Sequence, residues 1–197
     1  MTQTDGFATA IQTRVERQLA ANGLNEIATG LLLLAANGPG ALKEAGFQAF
    51  ENPWVVGSAA IALLLALAGV PMLRRRYVDP RLGFARPPFY KPAAWIAVAA
   101  AVLVYVFLLR IDVNGPLLAS VFPIALAHMA RRYAAPRLYI AAVAVSIAML
   151  ALTQLSLTST GWLSCTAFAA AVALISTGTF AFVRFVRTTP ELEAVTP

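Results

Sequence analysis

Charge is what this sequence has least of. Only 12% of its 197 residues are charged, about half the share found in soluble domains, whereas 59% are apolar. The mean hydropathy of +0.72 is correspondingly high. This composition excludes an ordinary soluble domain and predicts a membrane protein.

Residues that commonly carry chemistry are also scarce. The sequence has one cysteine, Cys165, and one histidine, His128. A single cysteine implies neither a disulfide framework nor a thiolate metal site. Catalytic signatures such as His-Glu-x-x-His, a Gly-rich phosphate loop or Gly-x-Ser-x-Gly are missing as well. We therefore predict no metal, no cofactor and no enzymatic activity.

Long apolar runs are plentiful, and they define the fold class. A helix needs about 20 residues to cross the hydrocarbon core of a bilayer, and backbone amides in lipid must be satisfied within the segment. The sequence predicts an all-α, polytopic transmembrane helical bundle with a single integral membrane domain covering residues 1–197. The six expected spans are residues 24–42, 54–73, 93–109, 116–130, 138–155 and 162–182.

The basic residues predict the orientation of this bundle. With six spans, both termini and the loops 74–92 and 131–137 lie on one side of the membrane. That side holds 13 of the 15 basic residues, namely Arg14, Arg17, Arg74, Arg75, Arg76, Arg81, Arg86, Lys91, Arg131, Arg132, Arg137, Arg184 and Arg187. The other side holds Lys43 and Arg110. Because short cytoplasmic loops are enriched in Lys and Arg, we expect a multi-pass protein of the bacterial inner membrane with both termini in the cytoplasm. The net charge of +6 then reports topology, and we expect no nucleic-acid partner.

The amino-terminal residues and two of the spans depart from a plain bundle. Apolar residues recur every four positions over residues 6–20, which predicts an amphipathic helix in the membrane interface; a helix that docks on a partner protein would have the same pattern. Span one has to continue through Pro39 or stop short, and span four carries Pro123 near its middle. Interrupted spans in the two halves of a transporter can mark a binding site, although ordinary kinks explain the same pattern.

An eight-residue motif occurs twice, as RRYVDPRL at residues 75–82 and RRYAAPRL at residues 131–138. An Arg pair suits a helix carboxyl end and anionic headgroups, Tyr suits the interface, and Pro can begin a helix, so we predict a cytoplasmic hairpin turn at each copy. The basic residues at these loops either set the topology or contact an anionic lipid headgroup or a protein partner. They are Arg74, Arg75, Arg76, Arg81, Arg86, Arg131, Arg132 and Arg137.

Two further groups of residues are candidates for function. Glu26 and His128 are ionisable residues inside predicted spans, at the same membrane face, and a polar site formed by this pair is one interpretation; helix capping by Glu26 and an interfacial position for His128 are the alternatives. Small residues repeat every four positions in span six and predict a helix-packing face, used within the bundle or for self-association. This face consists of Gly161, Cys165, Ala169, Ala173 and Thr177.

Two phrases carry a resemblance. GLNEIATGLLLL at residues 23–34 and DPRLGF at residues 79–84 resemble small bacterial polytopic membrane proteins of no assigned activity. Those proteins have a Gly-Leu-x-Glu-Ile first span and a Pro-Arg-x-Gly-aromatic cytoplasmic loop. The resemblance implies a bacterial membrane protein and transfers no site residue.

The sequence as a whole favours a non-enzymatic integral membrane protein. We expect an accessory or structural subunit that packs against lipid, with anionic headgroups preferred, or against a partner membrane protein or a second copy of itself. The alternative is a small transporter or a lipid-binding or lipid-handling protein with a site near interrupted spans one and four.

Overall fold

A computed structural model describes residues 22–82 and 114–189. All regular secondary structure in these two ranges is helical. The α-helices are α1 (Leu24–Glu44), α2 (Pro53–Leu73), α3 (Asp79–Leu82), α4 (Gly115–Ala119), α5 (Val121–Tyr133), α6 (Pro136–Leu152) and α7 (Ser159–Thr188). A 3₁₀ turn (Gln48–Glu51) precedes α2, and a π-helical turn (Arg74–Val78) joins α2 to α3. The predicted interfacial helix at residues 6–20, the predicted span at 93–109 and Arg86 lie outside the described residues.

The centre of the fold is an antiparallel pair formed by α1 and α7. Gly23 and Gly178 touch at one end of the pair, Gly30 lies against Ala171 in the middle, and the side chain of Glu44 lies beside Gly161 at the other end. A Cβ atom on Gly178 would come within 2.7 Å of the backbone oxygen of Gly23. Gly23, Gly30 and Gly178 are therefore required, because the two backbones approach too closely there for any side chain.

A second layer is the hairpin of α5 and α6, which packs on α7. Its buried core includes Leu126, Leu138, Val145 and Leu174. Between the two helices Ala134 adopts a left-handed conformation with φ of 51°, and Pro136 takes the first position of α6. The second copy of the repeated motif is therefore the tight turn that the sequence predicts.

The first copy of the motif behaves differently, and the predicted turn there is wrong. The helix does not stop at Pro80 but continues to the end of α3. Proline supplies no N–H to the helical hydrogen-bond ladder, and the widened π turn directly before α3 accommodates this gap, with the Asp79 N–H bonding to the Arg74 carbonyl five residues back. The result is one continuous helix, Pro53–Arg81, of 29 residues.

Span four is interrupted, as predicted, whereas span one is continuous. The break in span four falls at Ser120, between α4 and α5, because Pro123 in the first turn of α5 cannot donate a hydrogen bond to the carbonyl of residue 119. Pro39 by contrast lies within α1, which runs unbroken over 21 residues.

The helices of the described ranges coincide with five of the six predicted spans. Two of them are long and apolar enough to cross a membrane, Pro53–Arg81 and Ser159–Thr188, and Pro136–Leu152 is a shorter apolar helix. The α1 helix carries Glu26, Lys43 and Glu44, which lowers its hydropathy. The structure thus shows an all-helical protein with two helices suited to a membrane.

Candidate functional site

The most buried charge in the described residues is the carboxylate of Glu26, and it pairs with Arg137. Both Glu26 carboxylate oxygens lie 3.0 Å from Arg137 Nε, and Oε1 lies 2.6 Å from Nη2. The Glu26 side chain is 8% exposed and that of Arg137 is 20% exposed. A guanidinium that binds one carboxylate through two nitrogens fixes both distance and angle, so this pair sets how α1 and α6 meet.

Local sequence explains why these two side chains reach each other. Gly23 has a positive φ and precedes α1, and the side chain of Asn22 accepts a hydrogen bond from the Leu24 N–H. Glu26 therefore falls in the first turn of α1, where a negative charge is favoured by the helix dipole, and its carboxylate binds Arg137. Arg137 follows Pro136 in the first turn of α6, and the Glu26 carboxylate offsets its unfavourable charge at that position.

His128 lies elsewhere. It is exposed on α5, and the partner of Glu26 is Arg137 instead of His128. Sequence position gave both residues the same depth in the bundle but no information on which side of each helix they would face. The predicted pair of Glu26 and His128 is therefore not formed. The observed partner, Arg137, belongs to the repeated motif, and depth in the membrane did not identify it.

The repeated motif now has a structural explanation. In each copy the second arginine lies over the ring of the following tyrosine, with Arg76 5.6 Å from the centre of the Tyr77 ring and Arg132 5.8 Å from that of Tyr133. In each copy the last arginine also reaches another helix. Arg137 binds Glu26 on α1, and Arg81 binds the backbone at the carboxyl end of α7.

Arg81, the counterpart of Arg137 in the first copy, closes the carboxyl end of α7. Its Nε donates to the Thr189 carbonyl at 2.9 Å and its Nη1 donates to the Tyr77 carbonyl at 2.8 Å. Tyr77 packs its ring edge-to-face on Phe182 of α7. A cation at the end of a helix where carbonyls are unpaired is stabilising, so this arginine attaches the end of α2–α3 to α7.

The remaining arginines of the predicted basic set divide by exposure. Arg75, Arg76, Arg131 and Arg132 are exposed. Arg74 is half-buried, and its Nε lies 3.5 Å from Asp79 Oδ1. The exposed four are thus the arginines of the set that project from the described surface.

The predicted packing face of α7 is offset from the face that is buried. Of its five residues only Gly161 is fully buried, and Cys165, Ala169, Ala173 and Thr177 are half-buried. With 3.6 residues per turn, a stripe spaced strictly by four drifts about 40° around the helix at each step. The buried face therefore mixes spacings of three and four and follows Leu163, Ala167, Ala170, Leu174, Gly178 and Ala181.

A groove of about 600 Å³ runs along the outer side of the α5–α6 hairpin. Its walls are almost entirely apolar and include Pro123, Ala127, Val143 and Met149, with Trp162 of α7 at one end. None of its described lining residues belongs to α1. The groove lies beside the break in span four, which is the one feature of the sequence that could have indicated it.

Metal ligands do not gather in the parts of the chain that the structure describes. Residues 22–82 and 114–189 contain no group of three or more His, Cys, Asp or Glu side chains placed to hold a metal ion.

Comparison of the chain with protein-family models, with curated proteins and with solved structures gives no match. The class that the fold defines is an all-helical protein, and its described residues include two helices long and apolar enough to cross a membrane. Its candidate site is a buried ion pair, an exposed group of arginines and an apolar groove.

Proposed function

We propose that the chain is a non-enzymatic membrane protein that acts as an accessory or structural subunit, packing against lipid or a partner membrane protein. The observation that carries the proposal is the continuous helix Pro53–Arg81. Its most apolar stretch is long enough to cross a bilayer, and no residue of that stretch is fully buried against the rest of the described protein. Such a surface is stable only in lipid or against another apolar protein surface.

The distribution of charge supports a multi-pass arrangement in the bacterial inner membrane with both termini in the cytoplasm. The contacts of Gly23 with Gly178, Glu26 with Arg137 and Arg81 with Thr189 mark one end of the bundle. All the described arginines lie toward this end, namely Arg74, Arg75, Arg76, Arg81, Arg131, Arg132, Arg137, Arg184 and Arg187. Lys43 lies toward the opposite end, near the contact of Glu44 with Gly161. This asymmetry favours the arginine-rich end as the cytoplasmic one.

The test is gentle purification of the tagged protein from its native membrane, followed by mass spectrometry of the proteins that accompany it in fixed proportion. We expect a reproducible partner, and we expect Ala62→Trp on the exposed surface of α2 to release it. Ala144→Trp, an equal change on the exposed side of α6, is the control and should retain the partner. A protein recovered alone, or only as copies of itself, would contradict the accessory-subunit role.

A second candidate is a small transporter or lipid-handling protein, and the groove beside α5 and α6 favours it. The sequence placed such a site near spans one and four. The groove lies at span four alone, because α1 is continuous and contributes none of the described lining. A transporter built on paired interrupted helices would need a second break, so the lipid-handling form of this candidate fits the described residues better.

A further inference from the structure

We infer that the groove between α5 and α6 holds an acyl chain of one anionic phospholipid, whose headgroup contacts Arg131 and Arg132. The inference rests on the proposed membrane location and specifies the ligand of the lipid-handling candidate. A phospholipid fits this site because the groove is apolar along its length and positively charged at one end.

The serine and threonine hydroxyls in the walls of the groove already donate hydrogen bonds to the backbone. Ser120 Oγ donates to the Leu117 carbonyl at 2.6 Å, and Ser146 Oγ and Thr153 Oγ1 donate to carbonyls in the preceding turn of their own segments. A polar solute in the groove would lose its hydration and gain few hydrogen bonds in return. A hydrocarbon chain has no hydrogen bonds to water to lose, so the walls favour an acyl chain.

The volume of the groove suits a small ligand. A cavity of about 600 Å³ falls within the range of roughly 300–1,000 Å³ that is usual for small-molecule sites. One end is closed by Trp162, which is buried against Gly115. The other end reaches Ala127 on α5 and Tyr139 on α6, close to the turn between these helices.

The positive charge lies at that open end. Residues four apart share one face of a helix, so Arg131 continues the line of Ala127 on α5. Arg132 follows it, held over the ring of Tyr133. Both arginines are exposed.

Among the described residues, neighbouring acids do not cancel this charge. The acids described at this end of the bundle are Glu26 and Asp79, and they contact Arg137 and Arg74 respectively. Arginines beside an apolar surface at a membrane interface attract anionic headgroups, which complements a chain lying in the groove below them.

The experiment uses the full-length protein reconstituted into vesicles of phosphatidylcholine and phosphatidylglycerol in equal amounts. The protein is extracted in mild detergent, and the lipids that stay bound are quantified by mass spectrometry. We expect phosphatidylglycerol to be enriched over phosphatidylcholine on the order of tenfold, since two arginines favour the anionic headgroup.

Two variants separate the two parts of the site. Arg131→Gln with Arg132→Gln should abolish the enrichment while some lipid stays bound. Ser146→Trp should fill the groove and reduce retention of both lipids. Ala144→Trp, at an exposed position of the same helix that does not line the groove, is the control for added bulk on an apolar surface. If Ser146→Trp fails to fold, as judged by circular dichroism, the smaller change Val143→Phe takes its place.

Equal retention of the two lipids by the unaltered protein, or retention unaffected by filling the groove, would overturn the inference. Those outcomes leave the proposed membrane role intact, because the protein would still be recovered with the vesicles. A protein that never associates with vesicles would instead contradict the proposed membrane location itself.

Discussion

Replacing Arg137 should destabilise the fold far more than replacing Arg132, although both arginines belong to the same motif copy. Arg137→Gln leaves the buried carboxylate of Glu26 without its partner, and removing one partner of a buried ion pair costs about 3–5 kcal/mol. Because 20% of the Arg137 side chain is exposed to solvent, we expect a loss of stability in the lower part of that range, about 3 kcal/mol. Arg132 is exposed and lies over Tyr133, so its replacement should cost about 0.5–1 kcal/mol.

The assay is equilibrium unfolding in mixed micelles, followed by tryptophan fluorescence, for Glu26→Gln, Arg137→Gln and the double variant. If the two side chains interact, the double variant should lose much less free energy of unfolding than the two single variants lose in sum. Arg137→Lys should be intermediate, because lysine keeps the charge but cannot bind through two nitrogens. Additive single effects, or an Arg137→Gln protein as stable as Arg132→Gln, would refute the view that this pair holds α1 to α6.

Three smaller predictions can be checked in the same unfolding assay. Gly178→Ala should lower the free energy of unfolding by about 1–3 kcal/mol, because the new Cβ meets a backbone that cannot move aside. Gly57 has open space around it, so Gly57→Ala should leave the free energy of unfolding unchanged or raise it by about 0.5–1 kcal/mol. Ala134→Gly should stabilise by roughly 1 kcal/mol because it relieves a left-handed conformation, whereas the same change at Ala125, exposed within α5, should destabilise by about 0.5–1 kcal/mol. Thr166→Val should stabilise by about 1–3 kcal/mol, because the Thr166 hydroxyl is buried and has no hydrogen-bond partner among the described residues; a loss of stability there would show that the hydroxyl is satisfied in solution.

Local signals in the sequence predicted much of the helical layout. Asn52 and Pro53 mark the start of α2, Pro136 marks the start of α6, and Pro123 accounts for the break before α5. In each case a single residue changes which hydrogen bonds its neighbours can make, so the effect can be read without knowing the rest of the fold. Glu26 lies in the first turn of its helix, directly after the positive-φ residue Gly23.

The features that sequence reasoning missed depend on how helices face one another. Apolar patterning gives the depth of Glu26, His128 and Arg137 but not the rotation of their helices, so the partner of Glu26 could not be chosen among cations at one depth. The small residues at every fourth position of α7 suggested one packing face along the helix. Because an α-helix has 3.6 residues per turn, such residues rotate progressively away from the buried side. The two motif copies differ because a π turn precedes Pro80 and a left-handed Ala134 precedes Pro136, and eight shared letters do not distinguish these backbones.

The pairing of α1 with α7 also has a consequence for synthesis. These are the first and last of the described helices, so the close approach of their glycines joins segments that leave the ribosome far apart in time. Until α7 emerges, the glycine-lined side of α1 lacks the partner that it has among the described helices. The intervening helices must therefore wait in a partly assembled state, and that waiting state is the stage at which quality-control proteases would have the longest access to the chain.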